Sequence, residues 1–422
     1  MQIKKRVSLT FLLVALGASV LFGQVAKSNF SAFGFGDIYN RGLSQNQGMG
    51  GVGISNSSSW YINNLNPALL VNNYVVSFQA GMQLENRTVN DGFTSLKNGS
   101  GNLNYLVAAF PVKPGKWTTS VGLMPYSSVN YRLIAPTDVI GSNSTVLQEE
   151  IGSGGVNQFY WSNGVRINKY VAIGSRINYL FGSIITESNE VLSINRVVPF
   201  FTSLYERSYV KDLTFGGGVT LQKDSLFKKD YKLSIGFVYD FRSDLTTQTT
   251  QRLDRKSRVN KSIIDSTGVA NFSGAAVLPQ SYGMGISFGR PTRWMAAADL
   301  MVLDYTQFSG FSRATQSTTG YRAGLGFEIT PDPTGIGNYL KRMTYRTGGS
   351  YEVYPYLVNG NQVKDLGITF GVSMPLGLST LDFGLKFGKR GSISTNTIEE
   401  DYYKLYFGMT FNDRWFIKRK FD

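Results

Sequence analysis

From Tyr74 to the last strand-like segment, polarity in this chain alternates with a period of two. In residues 231–242, Tyr231, Leu233, Ile235, Phe237, Tyr239 and Phe241 share one parity. Lys232, Ser234, Gly236, Asp240 and Arg242 share the other, with Val238 as the exception. Leu381, Phe383, Leu385 and Phe387 alternate in the same way with Asp382, Gly384, Lys386 and Gly388. Leu405, Phe407, Met409 and Phe411 do so with Lys404, Tyr406, Gly408 and Thr410. Successive side chains of a strand point to opposite faces, so each segment predicts a sheet with one apolar and one polar face.

About fourteen such segments fit between residues 73 and 413, an even number as a membrane barrel of this kind requires. Connections after even-numbered segments are short: 111–116, 168–169, 289–293 and 375–379. Those after odd-numbered segments are longer and polar: 87–100, 133–153, 188–206, 247–269 and 392–400. The connection 331–341 breaks this rule and predicts a short helix near 338–342. Two classes of connection on opposite ends are the pattern of an outer-membrane barrel.

Composition agrees. Aromatics make up 14% of the 422 residues, Gly numbers 47, and charged residues are 17%. No long apolar run follows the first 25 residues, as a helical membrane protein would need. A sheet exposed to lipid must close on itself, because unpaired N–H and C=O groups find no water there. The expectation is an all-β transmembrane antiparallel barrel spanning 73–413. Fourteen strands enclose more space than side chains fill, so the lumen needs contents. Residues 24–72, rich in Gly, Asn and Ser without sustained alternation, are the candidate plug. Residues 1–23 read as a signal peptide: Lys4, Lys5 and Arg6 precede an apolar core, and cleavage is expected after Gly23. Residues 414–422 are expected as a periplasmic tail, and the cell outer membrane as the destination.

The formal charge is +14, but the basic residues are scattered through alternating segments. Nucleic acid is therefore not an expected partner. The chain has no Cys and no His, which removes thiol nucleophiles, His bases and most zinc sites. No catalytic residue, metal or cofactor is expected, and the chain is not read as an enzyme. Gly48, Gly50 and Gly53 match a dinucleotide-fingerprint spacing, yet neither the following helix nor the later acid is present. With Gly51, they are read instead as letting a plug backbone turn sharply and pass close to the wall. Asn66, Pro67 and Ala68 form the turn into the wall, as a hinge or as a rigid joint. Pro125, inside the third strand, marks a bulge or a lateral gate. Lys232, Asp240, Arg242, Asp299, Asp382 and Lys386 are expected to face the lumen. Arg252, Arg255, Lys256, Arg258 and Lys261 are placed in a solvated loop that can also meet lipid phosphates.

Two stretches carry a family resemblance. Gln47-Gly48-Met49-Gly50-Gly51-Val52-Gly53 precedes Asn66-Pro67-Ala68, and Leu278-Pro279-Gln280-Ser281-Tyr282 leads on to Trp294, Asp299 and Tyr305. These resemble the FadL-type outer-membrane transporters in the Gly-rich hatch, its Asn-Pro-Ala turn, and a Pro-led strand followed by Trp and Asp. The resemblance implies passive transport of hydrophobic small molecules such as long-chain fatty acids, past a plug and out either sideways through a kinked third strand or into the periplasm. The partners implied are outer-membrane lipid and a hydrophobic ligand. It leaves a second role open, an accessory docking barrel with a partner in type-nine protein secretion.

Overall fold

The computed structural model describes residues 26–138, 145–192, 200–225, 230–310, 316–335 and 337–413. The expected signal peptide and C-terminal tail lie outside these residues. The N-terminal segment holds one two-residue strand, β1 (Asp37–Ile38), one α-helical turn, α1 (Ser44–Gln47), and two short 3-10 helices, Asn29–Ala32 and Pro67–Asn72. The wall follows as β2 (Val76–Asn90), β3 (Ser95–Lys113), β4 (Trp117–Asp138), β5 (Thr145–Arg166), β6 (Val171–Leu192), β7 (Phe200–Asp224), β8 (Lys232–Asp240) and β9 (Ser243–Ser257). It continues as β10 (Ile263–Leu278), β11 (Ser281–Arg290), β12 (Trp294–Asp304), β13 (Thr319–Ile329), β14 (Thr344–Val358), β15 (Asn361–Leu376), β16 (Ser379–Gly391) and β17 (Glu399–Asp413).

β8 and β9 lie end to end along β7, and β10 and β11 lie end to end beside them. Counting each pair as one, the wall has fourteen antiparallel strands. It closes where β17 pairs with β2, from Glu399↔Asn90 to Asp413↔Val76. The alternation points the apolar set outward. Phe237, Met284, Leu325, Ile368, Phe370, Leu385 and Phe387 are exposed, while Ser234, Ser287, Thr369, Ser373 and Asp382 are buried. An apolar outer band over a polar interior is how a closed sheet fits a bilayer.

The two expected classes of connection take a different form. Most of 87–100, 133–153, 188–206 and 247–269 is strand, not loop. β4 to β7 run 22–25 residues. A tilted strand needs only about 9–11 residues to cross a bilayer. The excess stands beyond the lipid as paired hairpins. Thr-rich, polar stretches such as Leu245–Gln251 keep pairing because β-branched residues suit the pleat even without an apolar face. The basic residues from Arg252 to Lys261 thus belong to the end of such a hairpin. The expected helical turn after residue 337 is present at Tyr339–Arg342.

Arg242 is not lumen-facing. Buried residues of β8 are even-numbered (Ser234, Val238), and those of β9 begin odd-numbered (Leu245, Thr247, Thr249). The parity slips across Phe241–Arg242, and the Arg242 side chain is exposed, bonded to Gln307 and facing Asp244. The neighbouring strand slips at the same height, from Ala276 and Leu278 to Ser281, across Pro279–Gln280.

The candidate functional site between plug and wall

Residues 26–72 touch inward-facing groups on strands all round the barrel, so this segment fills the lumen. Two glycine patches on the wall receive it. The first faces the Gly-rich run. Gly50 has φ +71° and donates its N–H to Thr369 Oγ1 at 2.8 Å. A Cβ on Gly48 would fall 2.9 Å from the Cα of Gly371, and one on Gly324 would fall 2.9 Å from the carbonyl oxygen of Gly50. Gly326 and Gly348 leave the same room for Met49 and Gly50. Gly51, at φ +78°, packs on the Asn40 side chain rather than on the wall. Gly53 and Ile54 donate their N–H groups to one carboxylate oxygen of Asp299, at 2.7 and 2.9 Å. Asp299 is thus a lumen residue that holds the plug backbone.

The second patch receives the Asn-Pro-Ala turn. Asn66 caps a 3-10 helix, Pro67–Asn72, by accepting the N–H of Ala68 at 3.0 Å. Its amide donates to Ile54 O at 2.8 Å and to Val219 O of β7 at 3.3 Å. Gly164, Gly174, Gly218 and Gly236, one on each of β5 to β8, lie against Asn66, Pro67, Ala68 and Ile54. Arg176 of β6 reaches the carbonyl oxygens of Asn64 and Leu65 at 2.8 and 3.3 Å.

Charges fasten the rest. Arg41 meets both oxygens of Asp240, at 2.9 and 2.8 Å. Burial opposes its charge, and Asp240 more than offsets that, so Arg41 stays above its ordinary pKa. Tyr61 donates to Asp382 at 3.1 Å. Lys232 lines a cavity of about 670 Å³ with Trp60, Tyr61 and Trp294 at the short-turn end. Near the opposite end, Glu400 accepts Ser28 Oγ and the N–H of Asn29, both at 3.0 Å, and pairs with Arg87. Arg390 binds Asp37 at 2.7 Å and Asp365 at 3.2 Å. Lys404 lies 3.3 Å from Glu85, and Lys386 lies 3.7 Å from Asp365. Four cations face four anions there: Arg87, Lys386, Arg390 and Lys404 against Asp37, Glu85, Asp365 and Glu400. Of these eight, the sequence pattern singled out Lys386, placed Lys404 on a polar face without marking it as a lumen charge, and missed the other six. The available signal was Gln83, Glu85 and Arg87 repeating on the polar parity of β2.

At Pro125 the wall itself changes. Pairing of β4 with β3 ends at Leu123↔Leu106, and on the β5 side the register shifts between Pro125 and Ser127. Above this point β4 pairs with the plug: Ile38↔Ser127 and Asp37↔Ser128. Tyr39 bridges the seam. Its N–H donates to Tyr126 O of β4 at 3.0 Å, and its hydroxyl accepts from Asn102 of β3 at 3.1 Å. Burial pushes its phenol up to about 12, so it stays neutral. Below the seam, Leu43, Ile62 and Leu70 of the plug pack on Tyr105, Val107, Met124 and Tyr160 of the wall. A cavity of about 120 Å³ touches Tyr39, Gly50 and the charge cluster.

A closed antiparallel barrel of fourteen strands, apolar on its outer face and holding its own N-terminal segment inside, has the architecture of an outer-membrane-type barrel. The chain belongs to the BamG family, whose model matches residues 2–422. No curated protein matches the sequence. Among solved structures it resembles the CymD monoaromatic hydrocarbon channel, with TM-score 0.57 and 14% identity over 89% of this chain and 99% of that one. It also resembles the toluene transporter TodX of P. putida (TM-score 0.55, 15% identity, 90% of this chain and 100% of that one). A FadL homologue of Pseudomonas aeruginosa gives TM-score 0.56 and 11% identity over 90% and 99%. At such identities the likeness is one of fold.

Proposed function

We propose that this chain is an outer-membrane barrel that lets hydrophobic small molecules, of the long-chain fatty-acid kind, pass passively between plug and wall and leave sideways. The observation that carries this reading is the β3–β4 seam. A wall strand that gives up its neighbour above Leu123 and pairs with the plug makes an opening whose cover is the plug itself. Movement of residues 37–39 would uncover a path from the apolar contact around Leu43 and Met124 to the lipid. Pro125 marks the gate, and the Asn66–Ala68 joint, capped and bonded to β7, serves as the fixed end about which the upper plug shifts. No energy source or chemistry is needed.

The chain lacks Cys, so a disulfide engineered at the cross-strand pair Ile38→Cys/Ser127→Cys is the only one it can form. Oxidation should abolish uptake of oleate or toluene by cells carrying the variant, and reduction should restore it. Equal uptake in both redox states would remove the gate.

The docking-barrel role is the second reading, and the eight-charge cluster favours it. A plug tied by balanced buried ions resists displacement, because separating them leaves unpaired charge. Deletion that stops secretion of type-nine cargo while uptake stays normal would decide for it.

A further inference from the structure

The hairpin of β9 and β10 ends in an unprotected strand edge. β9 is paired on both sides, with β7 and β10. β10 pairs only with β9, apart from one bridge at its base, Val277↔Ser309. Residues 263–276 therefore have no strand on their second side among the described residues. Residues 263–275 are exposed on both faces, and they include Ile263, Ile264, Val269 and Phe272. Free edges are usually blunted by Lys, Pro or a cover, since an unpaired row of N–H and C=O groups is a template for another chain. In β10 the one charged residue is Asp265, and Pro is absent. A register shift between Thr267 and Ala270, with Gly268 at φ +64°, interrupts the edge. Below it Ala270–Ala275 runs regular and exposed, roughly 20 Å of backbone at about 3.3 Å per residue; Ala276 is buried beneath Gly310.

The tip adds a charge signature. Arg252, Arg255 and Lys256 are neutralised by Asp254, Asp265 and Glu187. Arg258 and Lys261 are exposed, and neither forms a close salt bridge among the described residues, though Lys261 acts electrostatically on Glu149.

We propose that the β10 edge binds a protein partner by strand addition. The partner supplies an extended, uncharged stretch along Ala270–Ala275 and acidic residues where it passes Arg258 and Lys261. Backbone pairing gives the attachment, and side-chain placement at every second residue gives the selectivity. This inference is independent of whether small molecules cross the barrel.

The test is photo-crosslinking in cells that express the full chain, with p-benzoylphenylalanine placed in turn at Ala270, Asn271, Phe272 and Ser273. Tyr209, on a strand paired on both sides, is the control. Cross-linked peptides are sequenced by mass spectrometry. The proposal expects all positions to map to one acidic-ended segment of one partner, stepping along it residue by residue in a single direction. Val269→Lys with Phe272→Lys should abolish those cross-links, while heat-modifiable gel mobility shows the barrel intact. Arg258→Glu with Lys261→Glu should weaken them. Cross-links to residues 263–276 of a second copy would replace the partner with self-pairing and overturn the proposal. So would scattered peptides with no strand spacing, or cross-links no stronger than at Tyr209.

Discussion

Gly50 of the plug lies against Gly349 of β14 with no room for a side chain between them: a Cβ on Gly50 would fall 2.7 Å from the Gly349 carbonyl oxygen. It would also fall 2.5 Å from the carbonyl oxygen of Leu325. The obstruction is backbone on two strands, so no rotamer relieves it. The positive φ of Gly50 adds strain for any L residue. Gly50→Ala is therefore expected to destabilise the seated plug by about 2–4 kcal/mol, from overpacking and left-handed strain together. Limited proteolysis of purified protein measures it. Residues 26–72 should become cleavable at protease levels the parent resists, while the barrel keeps its heat-modifiable mobility.

Asp299 tests the neighbouring contact differently. One of its oxygens takes two plug N–H groups, and the other has no partner. Asp299→Asn keeps an acceptor at that position, whereas Asp299→Ala leaves both donors unpaired in a closed site. The Ala variant should lose about 1–3 kcal/mol, the cost of leaving buried donors unmade, and the Asn variant less. Hydrogen exchange at Gly53 and Ile54 gives the readout: faster in the Ala variant, close to the parent in the Asn variant.

Tyr39 spans the seam by its two ends, and these separate on mutation. Tyr39→Phe removes the hydroxyl's contacts, to Asn102 of β3 and to Ser128 of β4, and keeps the backbone N–H bond to β4. Each such bond is worth about 0.5–1.5 kcal/mol, so the cover should loosen without leaving. Cells carrying Tyr39→Phe should take up hydrophobic dyes faster than the parent if the seam is a gate. Tyr39→Ala, which also removes the ring, should exceed it.

The barrel was legible because period-two alternation fixes facing, and facing with closure fixes the architecture. Arg242 misled because alternation gives no sign of a slipped register until the next strand is placed. The sign was present elsewhere: Pro279, which cannot donate to a ladder, marked the break between β10 and β11 that lies beside Phe241–Arg242. Asp382 and Lys386 were read from parity, whereas Asp299 also carried the family resemblance. The receiving glycines were missed although they follow the same rule. In Gly324-Leu325-Gly326 and Gly283-Met284-Gly285 every lumen position is empty, which means that another backbone comes close there. The seam was half visible: Pro125 signalled a break, but nothing local told that β1 would fill it. The charge cluster draws on β1, β2, β15, β16 and β17 and is set by closure, which no local pattern encodes.

Glu400 offers the sharpest test of how firmly the plug is held. It is buried between Ser28, Asn29, Arg87 and Arg390, and four cations balance four anions around it. Glu400→Gln removes one negative charge and leaves Arg87 and Arg390 short of a counterion inside the lumen. Breaking a buried pair in this way costs about 3–5 kcal/mol, most of it the penalty of the charge left behind. Restoring neutrality should therefore recover much of the loss. In Glu400→Gln/Arg87→Gln, three cations face three anions, and Glu85 keeps Lys404 at 3.3 Å. The double variant is expected to be more stable to urea than Glu400→Gln alone, with plug protection against protease returning in parallel. If the double variant is weaker than either single one, the cluster works through individual hydrogen bonds and not through charge balance.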